Sequence, residues 1–155
     1  MKIKNIALMI AIVSLTSLSA IAGTTAPLLS YTSNNGSVAP QYRHTFECNI
    51  TATEVSTRLV GPMIEFPHTT LKQIKFTSDV PSIVVLQSLV QEASQIAIIT
   101  HVGPPPAGGG VQLYTANLSV SNALTLLQEN GNVVMKSNPS TAAKEIVSFM
   151  DLNCK

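Results

Sequence analysis

Hydrophobic and polar positions divide the chain into an apolar start, a polar stretch and then a long patterned region. Lys2 and Lys4 precede an apolar run from Ile6 to Leu18, broken only by Ser14, Thr16 and Ser17. Ala20-Ile21-Ala22 follows, with the small-x-small spacing that signal peptidase reads. Residues 1–22 are therefore expected to be a signal peptide cut before Gly23. The apolar run is shorter than the ~20 residues a spanning helix needs, so a membrane anchor fits less well. The residue right after the cut is Gly23 and not a cysteine, so lipid attachment is not indicated. The mature protein is expected in the periplasm, with outer-membrane association or release from the cell as variants.

Gly23 to Gln41 is rich in Gly, Thr, Ser, Asn and Pro and has no period. It reads as a flexible leader (23–41), with a single domain over 42–155. His44 to Val55 alternates, with Phe46, Cys48, Ile50 and Ala52 on one face, and predicts a half-buried strand. Leu59 to His68 carries Gly61, Pro62 and Pro67 and reads as irregular. Leu71 to Phe76 alternates again. Over Asp79 to Ser94, Leu86, Leu89, Val90 and Ala93 fall at helical spacing, with Pro81 at the front. Gln95 to Val102 predicts a buried strand, and residues 103–110 a Gly/Pro loop. Val111 to Ala116 predicts a further strand.

A second helix is expected from Ser119, a favoured N-cap, to a stop at Asn130-Gly131. Its apolar face would hold Val120, Ala123, Leu124 and Leu127. On that reading Leu124→Asp unfolds the domain. Val133–Lys136 and Glu145–Leu152 would be closing strands joined by a turn at 137–140. The expected fold class is α+β: two helices packed against small β-sheets in βαββαββ order, with one extra N-terminal strand.

Composition adds one covalent link and removes several functions. Cys48 and Cys154 are the only cysteines. An even count in an oxidising compartment predicts a disulfide between them. Each also shares a predicted strand face with apolar residues: Cys48 with Phe46 and Ile50, Cys154 with Met150 and Leu152. Signal cleavage removes Lys2 and Lys4, leaving seven basic residues against eight acidic. Nothing clusters Lys and Arg as nucleic acid would require. With no Trp and few other aromatics, the core must come from Val, Ile, Leu and Ala.

Catalytic chemistry is not indicated. His44, His68 and His101 have no triad or metal partner at a recognisable spacing, and Asp79 is better explained by the start of a helix. Gly108 to Gly110 lacks the Lys and helix of a phosphate cradle. Neither cysteine belongs to a Cys-x-x-Cys pair. The chain is expected not to be an enzyme, and to hold neither metal nor cofactor.

Two segments echo each other. Asp79, Pro81, Val85, Leu86 and Leu89 mark the first predicted helix. Asn117, Leu118, Ser119, Val120, Ala123, Leu124, Leu127 and Gly131 mark the second. Over Leu71 to Met150 this pattern resembles the short N-terminal domain shared by outer-membrane secretins and TonB-dependent signal transducers, with Ser82 where that family has an apolar residue. The resemblance implies a periplasmic protein-protein interaction module, an accessory part of a secretion, pilus or conjugation assembly. Its partners would be other envelope proteins or further copies of the chain. The alternative is a stand-alone ligand-binding or inhibitor domain. The expected docking surface is the strand with Gln112 and Tyr114, Tyr being enriched at interfaces, together with the loop at Pro104, Pro105 and Pro106.

Overall fold

The computed structural model describes residues 27–36, 38–64, 69–76, 82–103, 110–118, 123–131 and 133–155. The signal-peptide segment lies outside these. In order, the elements are β1 (Leu29–Asn34), a 3-10 turn (Pro40–Tyr42), β2 (Thr45–Ile50), β3 (Glu54–Val60) and β4 (Thr69–Gln73). Then come α1 (Ile83–Ser94), β5 (Ile99–Val102), β6 (Gln112–Leu118), β7 (Ala123–Asn130), β8 (Val134–Ser137) and α2 (Thr141–Cys154). The strands form one eight-stranded sheet, ordered β4-β3-β2-β1-β6-β7-β8-β5, with every neighbour antiparallel.

Two meanders thus meet at a β1–β6 seam, and each is followed by a helix. The register Thr57–Cys48–Tyr31–Tyr114 runs across four strands and sets the face that carries the core. Leu29, Ile50, Val55 and Ala116 share that face. Against it pack Leu86, Val90 and Ala93 of α1, and Ile146, Phe149 and Met150 of α2. The opposite face of the first meander alternates to polar and charged residues: Ser30 and Thr32 on β1, Glu47 and Asn49 on β2. This inward–outward alternation is what an antiparallel sheet with one covered face requires.

The α+β class and the Cys48–Cys154 bridge stand, with a Cα–Cα distance of 5.8 Å. The element order does not, and four expectations are corrected. The leader is not wholly flexible: β1 lies inside it, with Leu28, Leu29 and Tyr31 buried. Only two strand positions of β1 face the core, so its apolar signal is slight. The predicted strand over His44–Val55 is a hairpin of β2 and β3. Thr51 turns it: its N–H donates to Glu54 O, and its Oγ1 accepts from the N–H groups of Thr53 and Glu54.

Of the predicted second helix, Ser119 and Val120 lie outside the described residues, and Ala123–Asn130 form β7. A bulge where it pairs with β6 sets Tyr114 opposite Gln128 but Thr115 opposite Leu126. The extra residue, Leu127, is buried, whereas Leu124 is 70% exposed. A bulged strand shifts face partway along. Leu124 and Leu127 thus have a helical spacing of three without sharing a buried face. Gly131 is the hairpin turn, its N–H donating to Val134 O. The pattern that resembles secretin-type domains thus forms a β6–β7 hairpin in its second half.

The predicted last strand is α2. Ala142, Ala143, Ile146, Phe149, Met150, Asn153 and Cys154 repeat at three and four and are buried, while Leu152 is exposed. Ser140 caps the helix by accepting from the Ala143 N–H at 3.1 Å. Cys154 therefore reaches Cys48 from the last turn of a helix, with Met150 one turn before it. The first helix is as expected, although it begins at Ile83.

Candidate interaction surface

The expected docking strand is not available for docking. β6 sits in the middle of the sheet, paired on one side to β1 and on the other to β7. Tyr114 is 2% exposed. Gln112 is half-buried, and its Oε1 accepts from Asn130 Nδ2 at 3.3 Å. Pro104, Pro105 and Pro106 lie outside the described residues.

Tyr114 belongs instead to a cluster behind the disulfide. Its ring lies 4.6 Å from that of Tyr31, which pairs across the strands with Cys48. Its hydroxyl donates to Asp151 Oδ1 at 2.9 Å and accepts from Lys155 Nζ at 2.9 Å. Lys155 also pairs with Asp151 at 2.6 Å, and its ammonium stands 5.2 Å from the Tyr31 ring centre and 5.5 Å from that of Tyr114. Burial is the main reason the Tyr114 hydroxyl is pushed up to about 12, with Asp151 adding and Lys155 opposing. Burial pulls the Lys155 ammonium down, but hydrogen bonds to Asp151 and Tyr114 outweigh it and hold the group above its ordinary value. A phenol and an amine that both hold their protons this firmly are poor bases at neutral pH. The cluster fastens the last turn of α2 to the sheet.

Two asparagines play similar parts. Asn138 Nδ2 donates to Ala93 O and its Oδ1 accepts from the Ser140 N–H, joining the end of α1 to the start of α2. Asn153 accepts from the Lys75 N–H and donates to Lys75 O, closing residue 75 onto α2 in the way a strand partner would.

Among the described residues no group of three or more His, Cys, Asp and Glu could hold a metal ion. His44 and His101 are both exposed, His44 with Nδ1 3.0 Å from Asn35 Nδ2. His68 lies outside the described residues. A shallow hollow of about 250 Å³ lies beside α2, lined by Leu127, Gln128, Ser137, Ala143, Lys144 and Val147 among others. No helix among the described residues is long and apolar enough to cross a membrane.

The sheet's two edges differ sharply. β4 has the sequence Thr-Thr-Leu-Lys-Gln and is polar but for Leu71, with Lys72 next to it. Charged side chains of this kind, Lys above all, keep an edge from pairing with other chains. β5 is Ile-Thr-His-Val, exposed at all four positions, with Val102 76% exposed. Ile96 and Ile98 just before it, and Val133 and Met135 at the neighbouring strand β8, are exposed too. From Ala93 to Gly103 there is no Asp, Glu, Lys or Arg.

The hydrogen-bond pattern shows which groups the β5 edge offers. Gly103 N–H donates to Val133 O at 3.1 Å, while Gly131 N–H donates to Val134 O from the other side of β8. With His101 opposite Met135 and Ile99 opposite Ser137, alternate residues 99, 101 and 103 bond inward. Thr100 and Val102 therefore turn their N–H and C=O groups outward, and among the described residues nothing meets them. Of the predicted buried strand at 95–102, residues 99–102 form β5, an exposed edge that among the described residues is unpaired on its outer side and uncharged. The charge-free run of apolar residues is visible in the sequence, but its place at the rim is set by the strand order. The chain has no match among protein-family models, curated proteins or solved structures.

Proposed function

We propose that the chain is a non-enzymatic, exported interaction module of the cell envelope that docks by accepting a strand at the β5 edge. The observation that carries this is the contrast between the two rims: β4 holds a lysine, whereas β5 presents backbone groups that no described residue meets, among exposed isoleucine and valine. Strand addition takes affinity from main-chain hydrogen bonds and specificity from the side chains on either face. The disulfide and the signal-like start fit an oxidising compartment outside the cytoplasm. The resemblance to secretin-type domains supplies the class of assembly: a secretion, pilus or conjugation machine in which this chain is accessory.

A photoreactive residue placed at Val102, and separately at Leu71, in cells exporting the full chain tests the reading. Adducts should form from position 102 and be weak or missing from 71, and the protein should fractionate with the periplasm or envelope. Equal labelling from both rims, or none from 102, overturns strand addition at β5. The hollow beside α2 favours a second reading, a small-ligand or inhibitor domain. Its mark would be Val147→Trp abolishing function while the Val102 adducts persist.

A further inference from the structure

We infer that the strand accepted at β5 is β5 of a second copy, so that two sheets join about a two-fold axis into one continuous sheet. This rests on the strand-addition reading above and names its partner. Thr100 and Val102 offer one donor and one acceptor each. An antiparallel pairing that sets Thr100 opposite Val102 of the partner subunit, and Val102 opposite Thr100 of the partner subunit, satisfies all of them at once. It makes two hydrogen-bonded pairs, each exchanging two bonds. The axis then passes at His101, which faces His101 of the partner subunit in a non-hydrogen-bonded pair. Sliding the register by two residues either way leaves one of the two outward-facing residues without its match.

Charge points the same way. In a two-fold pairing the residues at and next to the axis meet their own copies, so the middle of the strand must be free of charge that would face its own sign. The run from Ala93 to Gly103 meets that condition, while the β4 rim, with Lys72, does not. Lys136, on β8 opposite Thr100, is already neutralised by Glu129 at 2.9 Å. A two-fold contact of this kind is closed and leaves the polar β4 rims as the outer edges, so the assembly stops at two.

Analytical ultracentrifugation of the disulfide-intact protein, up to roughly 100 μM, is expected to show a dimer, and Thr100→Pro is expected to weaken it by about tenfold or more. The Thr100 N–H faces outward, so proline there removes a bond to the partner and none to β8. Circular dichroism and the melting transition at low protein concentration should be unchanged. His101→Cys should cross-link into a covalent dimer under oxidising conditions, because such pairs hold Cα atoms about 4.5 Å apart, within disulfide reach. Thr100→Cys, whose partner is Val102, should not. A wild-type protein that stays monomeric overturns the second copy. Strand addition itself then survives only if Val102 still labels a different protein in cells, and both readings fall if it labels none. A dimer that Thr100→Pro leaves intact, or that His101→Cys fails to trap, places the interface elsewhere.

Discussion

Tyr114 shows how a single residue can carry two meanings in a sequence. Its alternation with Leu113 and Thr115 marks a strand, and its chemistry suits an interface. Which of its sides meets protein depends on β1, a strand with little apolar signal of its own. In the structure its hydroxyl links Asp151, in the last turn of α2, and Lys155, which caps that helix. Tyr114→Phe should cost about 1–2 kcal/mol, since the lost bonds involve charged partners. The cluster also sets a pH dependence. Tyr114 and Lys155 bind their protons more tightly folded than unfolded. Their contribution is complete below the ordinary tyrosine value of 10.0 and is lost as pH rises through about 12. Denaturant midpoints should therefore fall above pH 10, and fall less steeply in Tyr114→Phe. Gly110 is a second such position. A Cβ there would run into the carbonyl oxygen of Asn34, whose N–H bonds to Val111 O beside it. Gly110→Ala should cost about 1–3 kcal/mol, as overpacking does, read as a lowered midpoint at unchanged slope.

Among the elements, those with an uninterrupted period were readable. β2 shows alternation, and α1 shows Leu86, Val90 and Ala93 at four and three, strong enough to override the β-branched Ile83-Val84-Val85. Where two periods compete, the sequence misleads. In β7 Leu124 and Leu127 stand three apart, as on a helix face, yet only Leu127 is buried. In α2 the stripe Ile146, Phe149, Met150 and Asn153 includes a polar residue, Asn153, that is buried only because it pairs with the backbone at Lys75. Without that pairing in view, Ile146-Val147 looks like the middle of a strand. The strand and helix assignments of these segments make opposite forecasts. Leu124→Asp, severe on a helix face, should shift the thermal midpoint little, because Leu124 lies on an exposed strand position. Phe149→Ala, harmless on an outer strand face, should cost about 3–5 kcal/mol. Thermal melts of the two variants side by side decide between them.

At the level of the whole molecule, the order of the sheet makes the chain's first and last segments depend on each other. β1, the first strand of the first meander, also pairs with β6 and so joins that meander to one formed much later in the sequence. α2, the final element, covers the same face and is bridged to β2 through Cys154 and Cys48. No local pattern encodes such pairings. The cysteine count was legible because it is a property of the whole chain, and the β5 rim was not, because a strand becomes an edge only by where seven others lie. The bridge spans 106 residues of sequence. In the chain-entropy view, closing a loop of that size in the unfolded state stabilises the fold by about 4–5 kcal/mol. A sheet with so many long-range pairings also loses its seam if α2 detaches. Cys48→Ser/Cys154→Ser, or reduction of the wild type, is therefore expected to lower unfolding free energy by about 2–5 kcal/mol. Hydrogen exchange should rise first in α2 and β2, the two elements that the bridge joins. Exchange that rises instead in β5 and β8, at the far rim, would show that the bridge is not what ties α2 to the sheet.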